Sequence, residues 1–218
     1  MLVKDYMTRH PLMAAPDMSL VEAQRFMGQN NIRHLPVVGD GKRLLGLVTR
    51  QSLLVDPGRL GSLNVWEIAG VLSGLKVKDV MIKAPNVITV SQDITIEEAA
   101  RVMVERRIGC LPVVQDDVLV GIITEVDLLA HLMEMMATRH PGIRVTVRMP
   151  DVRGELAKLV AAIAAQGWGI LACGGVAAPK AAGKWDAAVL KMRDVTREEV
   201  IAALSQVEGH EIIDIRDA

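Results

Sequence analysis

Aromatic side chains are almost missing from this 218-residue chain: they make up 2% of it, as Tyr6, Phe26, Trp66, Trp168 and Trp185. That scarcity removes the stacking platform on which a single-strand nucleic-acid binder holds its bases. An excess of charge of one sign is missing too. With 25 Lys and Arg against 26 Asp and Glu, the formal net charge is −1, so neither nucleic acid nor an anionic membrane has an electrostatic claim as partner. The two cysteines, Cys110 and Cys173, stand far apart and fit no disulfide framework or zinc spacing; a reduced, cytoplasmic setting is expected. The N-terminal "MLVKDYMTRHP" is charged and runs into a proline turn, unlike a secretory leader. The longest apolar stretch, 159–178, is interrupted by Gln166 and several glycines and reads as a buried helix plus a strand, not a membrane span. His10, His34, His131, His140 and His210 are scattered, with no metal-ligand spacing and no nucleophile elbow. No catalytic residue, metal or cofactor is therefore expected, and the chain is not read as an enzyme.

What the chain does have is a repeat. Half of its residues are hydrophobic and 23% are charged, an ordinary globular composition. Within it, residues 3–54 and 77–129 align block by block. "VKDYM" at 3–7 answers "VKDVM" at 77–81, and Pro11 answers Pro85. "SLVEAQRFM" answers "TIEEAARVM", "IRHLPVV" answers "IGCLPVV", and "GLVTRQSLL" answers "GIITEVDLL". Ser19 with Glu22, and Thr95 with Glu98, form capping-box patterns. They open helices that place Leu20, Ala23 and Met27, or Ile96, Ala99 and Met103, on one face. Each copy reads as β-α-β-β-α, about 50 residues, too small to bury both faces of its sheet alone. Two copies are expected to pack sheet against sheet about a pseudo-two-fold axis.

These doubled blocks resemble a tandem pair of cystathionine-β-synthase (CBS) domains, the Bateman module, with repeats at 1–56 and 77–135. The resemblance implies an adenine nucleotide (AMP, ADP or ATP) or S-adenosylmethionine bound in a cleft between the repeats. It also implies regulation rather than catalysis, and pairing into a homodimer that acts on an unknown protein partner.

The copies differ at one telling position, Asp127 against Ser52. Thr124 precedes an apolar helix start, and Asp127 falls in the first turn. Two roles are open: a helix-capping pair favoured by the helix dipole, or a carboxylate that accepts from both hydroxyls of a ribose. In the resembled family this Thr and Asp contact phosphate and ribose. Ser52 has one uncharged hydroxyl and cannot pair two vicinal hydroxyls in that way. The stronger site is thus expected at Thr124 and Asp127, with a weaker or differently selective one at Thr49 and Ser52. Arg33 and His34 in copy one, and Gly109, Cys110, Leu111 and Pro112 in copy two, are expected to wall these clefts. Gly109 admits close ligand approach, and Cys110 reads as a buried, inert thiol.

Between the copies, 57–76 reads as a linker helix capped by Asn64 and bearing Trp66, Ile68, Val71, Leu72 and Leu75. After a break at His140-Pro141-Gly142, the segment 142–218 reads as βαββαβ, a ferredoxin-like unit, so the fold class is α+β. Its first helix is expected to turn Leu156, Leu159, Val160 and Ile163 inward, and its middle strands fall at 168–173 and 185–192. The segment "PDVRGELAKLVAAIAAQGWGI" is similar to an ACT domain, whose effector loop would hold Asp151 and Gly154. Gly169 stands where amino-acid-binding members have Asn, which favours dimerisation over effector binding. The combination resembles the AcuB-type acetoin-utilisation family. Three functions remain open: an adenosyl-ligand sensor, a ligand-free scaffold, and an amino-acid sensor.

Overall fold

The computed structural model describes residues 1–53, 74–177 and 185–218. Most of the expected linker helix, and the loop at 178–184, lie outside the described residues. The chain divides into two compact units, Met1–Leu128 and Leu129–Ala218. Among the described residues no helix is long and apolar enough to cross a membrane.

The first unit contains both repeats as far as Leu128, within the last helix of copy two. Copy one runs through α1 (Val3–Tyr6), β1 (Thr8–Arg9), α2 (Leu20–Gln29), β2 (His34–Val38) and β3 (Leu44–Thr49). Copy two repeats the order with α3 (Val77–Val80), β4 (Ile82–Lys83), α4 (Ile96–Arg106), β5 (Cys110–Gln115), β6 (Val118–Thr124) and α5 (Glu125–Met135). The helix faces are as the periodicity indicates: Leu20, Ala23 and Met27 are buried on α2, and Ile96, Ala99 and Met103 on α4.

Neither sheet belongs to one copy. One has the order β2-β3-β4 and the other β1-β6-β5, so each copy lends its first strand to the other. The leading helices cross as well. Val3 is buried with Leu111, Val113 and Ile123 of copy two, and Val77 with Leu35, Val37 and Val48 of copy one. Backbone bonds hold the exchange symmetrically: Val3 N–H donates to Ile94 O, and Val77 N–H to Met18 O, both at 2.9 Å. The exchange also alters the helix starts. Ser19 and Thr95 accept from Glu22 and Glu98 N–H, but Ser19 bridges Lys76 and Thr95 bridges Leu2 in place of the acid's return bond. A further cluster of Leu47, Cys110 and Ile122 draws on strands of both sheets, in keeping with the expected sheet-on-sheet packing.

The second unit follows as β7 (Ile143–Pro150), α6 (Glu155–Ala165), β8 (Gly169–Ala177), β9 (Trp185–Arg193), α7 (Arg197–Leu204) and β10 (Glu211–Asp217). Its antiparallel sheet has the order β10-β7-β9-β8, a ferredoxin-like arrangement. Val145, Val147, Leu159, Ile163, Leu190 and Met192 form its core. Two expectations need correction. Gly174 and Gly175 pair with Val189 and Ala188, so β8 continues past 173 into what reads as loop. Leu156 is 40% exposed; the buried place at the start of α6 goes to Glu155 instead. Its carboxylate accepts from Lys158 at 2.7 Å and pairs with His210 Nε2 at 2.9 Å. Those partners hold its carboxyl below the usual range, which is why an acid tolerates that position.

Candidate functional site

The Thr-x-x-Asp and Thr-x-x-Ser turns share the direction of their two N–H bonds and differ in which hydroxyl donates. In copy two, Thr124 N–H and Thr124 Oγ1–H both donate to Asp127 Oδ2, at 2.8 and 2.7 Å, and Asp127 N–H returns to Thr124 Oγ1 at 3.3 Å. A carboxylate only accepts, so Thr124 commits its hydroxyl proton to Asp127. Asp127 Oδ1 has no protein partner among the described residues. In copy one, Ser52 Oγ accepts from Thr49 N–H and donates to Thr49 O, both at 2.9 Å, while Ser52 N–H donates to Thr49 Oγ1 at 3.1 Å. Ser52 thus uses its own proton locally, and among the described residues the Thr49 hydroxyl proton has no acceptor.

Two clefts open between the repeats within the first unit. The first, about 560 Å³, brings Thr124 and Asp127 against Arg33, His34 and Arg50, with Pro11, Leu12, Ile122 and Val126 as apolar walls. The second, about 450 Å³, brings Thr49 against Gly109 and Cys110, with Arg33, His34 and Arg50 again at its border and Arg107 and Glu125 added. Both volumes suit a small-molecule ligand. Each cleft therefore joins the turn of one copy to the opposite wall of the other, which the sequence repeat alone does not specify. Ser52 lies behind Thr49 and is not among the lining residues of the second cleft. Leu111 is fully buried in the copy-two core and Pro112 is buried beside it; neither lines a cleft described here. Asp151 and Gly154 sit elsewhere, in the second unit, on the exposed turn before α6, where Gly154 has φ +95°.

The lining residues that sequence reading overlooks include Arg50, Arg107, Ile122, Glu125 and Val126, and a group from the exchanged segments. Thr8, Pro11 and Leu12 follow from β1, and Ile82 and Asn86 from β4 and the turn beyond it. The signal for them is the second occurrence of "VKD-x-M" with its following proline.

Electrostatics at the shared border are mixed. Arg33 lies 3.4 Å from Glu125, both about half exposed. His34 is pushed toward its neutral form by burial and then by Arg33, against the pull of Glu125. Burial, with Glu125 adding, pushes the Cys110 thiol up to about 12. At pH 8 its thiolate fraction is then about one in ten thousand. Native protein treated with a thiol reagent at pH 8 should therefore release roughly one equivalent, from exposed Cys173, and the second only after unfolding; two fast equivalents in native protein would contradict the burial of Cys110. Among the described residues no group of three or more His, Cys, Asp or Glu gathers to hold a metal ion.

The family model of the CBS domain matches residues 3–55 and 77–134. The chain is 34% identical over 131 residues to protein MJ1225 of Methanocaldococcus jannaschii, a match that covers 60% of this chain. It spans only 46% of that relative's length. Among solved structures, a Vibrio cholerae protein described as an acetoin utilization protein (AcuB) superposes with TM-score 0.53 at 33% identity, covering 64% of this chain and 95% of that one. The structure of CBSX2 in complex with AMP superposes with TM-score 0.50 at 26% identity, covering 61% and 96%.

Proposed function

The chain belongs to the CBS-domain family, and on that premise we propose that it is a regulatory sensor of an adenosine-containing ligand, bound in the cleft that contains Asp127. One observation carries the reading: Asp127 lines a cleft with aliphatic walls and arginines at one border, and its Oδ1 has no partner among the described residues. A ribose would place its vicinal hydroxyls on that oxygen. The base would lie between Pro11, Leu12, Ile122 and Val126, and phosphates would extend toward Arg33 and Arg50. The AMP held by CBSX2 supports adenosine over other ribosides. The candidates are AMP, ADP, ATP and S-adenosylmethionine.

Regulation follows by linkage. A ligand that touches both repeats favours the arrangement in which they fit it best, and shifts the population toward that state. The ferredoxin-like order of the second unit supports an ACT-like role in homodimerisation, with an amino-acid effector at Asp151 and Gly154 as the lesser option. A link to acetoin metabolism rests on the likeness to the AcuB protein, since architecture does not fix a pathway.

A second reading, a ligand-free scaffold, is favoured by the fact that Thr124 and Asp127 already form a complete cap without any ligand. Calorimetric titration of adenosine, AMP, ADP, ATP and S-adenosylmethionine separates the two. The sensor reading expects at least one of them to bind and to raise the unfolding midpoint, by about 2.7 kcal/mol of stabilisation at a hundredfold excess over Kd. Failure of all five leaves the scaffold.

A further inference from the structure

We propose that residues 10–13 form a strap that closes over the ligand in the Asp127 cleft, so that adenosine binding and ordering of the strap are one equilibrium. The inference rests on the adenosine reading and goes beyond it by assigning the part of the fold that moves.

The strap bridges the two copies. On one side β1 is bonded to copy two, with Thr8 opposite Ile122 and Arg9 opposite Gly121, on the strand that runs into the Thr124 turn. On the other side Ala14 joins copy one: its N–H donates to Pro36 O at 2.9 Å, and Val38 N–H donates to Ala14 O at 3.0 Å. Residues 10–13, which span the gap, make no hydrogen bond of their own among the described residues. His10 enters the span with φ +50°, a conformation that costs energy for a residue with a Cβ. Pro11 is buried and Leu12 is 42% exposed, and both line the cleft.

The second repeat shows what a braced strap looks like. There the counterparts of His10, Pro11 and Leu12 are Ala84–Asn86, a 3-10 turn closed by Val87 N–H on Ala84 O at 3.0 Å. Asn86 stands where the first strap has Leu12. One strap is thus held by its own backbone bond and tipped with an amide. The other has no such bond and presents an aliphatic side chain to solvent. Few backbone bonds and exposed apolar surface mark a segment that opens at low cost.

The ligand supplies the missing brace. Val126, beside Asp127 in the chain, lines the same cleft and is 52% exposed. A ribose on Asp127 sets the adenine by Val126 and Leu12, and removal of both aliphatics from water favours the strap drawn in. Because the strap is anchored to copy two at one end and copy one at the other, closure restrains how the copies are arranged. That is the differential contact on which a population shift depends.

The test is hydrogen exchange read by mass spectrometry on the full chain, with and without saturating adenosine. Calorimetric titration of adenosine into wild type, Leu12→Ser and Val104→Ser accompanies it. Without ligand, amides within 10–13 should exchange at least about tenfold faster, relative to their intrinsic rates, than those within 84–89. Adenosine should slow 10–13 by at least about tenfold and leave 84–89 unchanged. Leu12→Ser should weaken adenosine about fivefold, the scale of one partly buried aliphatic side chain. Val104 is 77% exposed on α4 and lines neither cleft, so the same chemical change there should leave affinity unaltered. A strap as protected as 84–89 in the unliganded chain overturns the proposal. So does bound adenosine that leaves 10–13 exchanging as before, or Leu12→Ser at wild-type affinity; in each case the adenosine reading stands. Absence of adenosine binding in the titration defeats that reading, and closure over adenosine with it.

Discussion

Asp127→Asn is expected to weaken the adenosine-containing ligand by roughly ten- to a hundredfold, equivalent to about 1.5–3 kcal/mol for a lost charge-assisted contact. The substitution separates the two jobs of this side chain. The cap needs one acceptor for Thr124 N–H, and an amide oxygen supplies it. The ribose needs the other oxygen, and there the amide presents N–H groups to hydroxyls that sought an acceptor. Thermal stability without ligand should therefore change little while calorimetric affinity collapses. Equal loss of stability and affinity would mean that Asp127 acts through the helix start alone. Unchanged affinity would remove it from the site.

Gly46→Ala is expected to destabilise the first unit by about 1–3 kcal/mol, the usual cost of overpacking. Gly46 begins the "GLVT" block, and β4 of the other copy pairs there, with Lys83 opposite Gly46. A Cβ at this point would lie 2.5 Å from the carbonyl oxygen of Ile82 and 2.7 Å from Met81 Sδ. A backbone carbonyl cannot rotate aside, so the exchanged strand must shift. The equivalent Gly121→Ala meets only the flexible side chain of Met7 and should cost less. Gly28→Ala, on α2 with nothing within 4 Å of the new methyl, should be neutral or stabilising because glycine is unfavourable inside a helix. Urea or thermal unfolding orders the three variants. Gly46→Ala as benign as Gly28→Ala would contradict the close strand crossing.

That crossing also marks the limit of what the sequence discloses. "VKDYM" and "VKDVM" are nearly the same segment, so each fits the core of either copy, and periodicity within a segment carries no information about which core it enters. The exchange of β1 and β4 is for this reason invisible in the repeat, although the glycines of the "GLVT" and "GIIT" blocks are its trace. The same blindness hides Thr8, Pro11 and Leu12 from a reading of the cleft. Leu156 and Glu155 show a second kind of limit. An apolar residue in helical phase reads as core, yet the buried place went to an acid whose partners, Lys158 and especially His210, are supplied by folding.

The sequence by itself determined the properties that depend on neighbours along the chain: the duplication, the helix starts at Ser19 and Thr95, the faces of α2 and α4, the βαββαβ order of the second unit, and the contrast between Asp127 and Ser52. Tertiary structure decided which copy each leading strand completes and which turn faces which wall. Those are questions of distance between residues far apart in the chain.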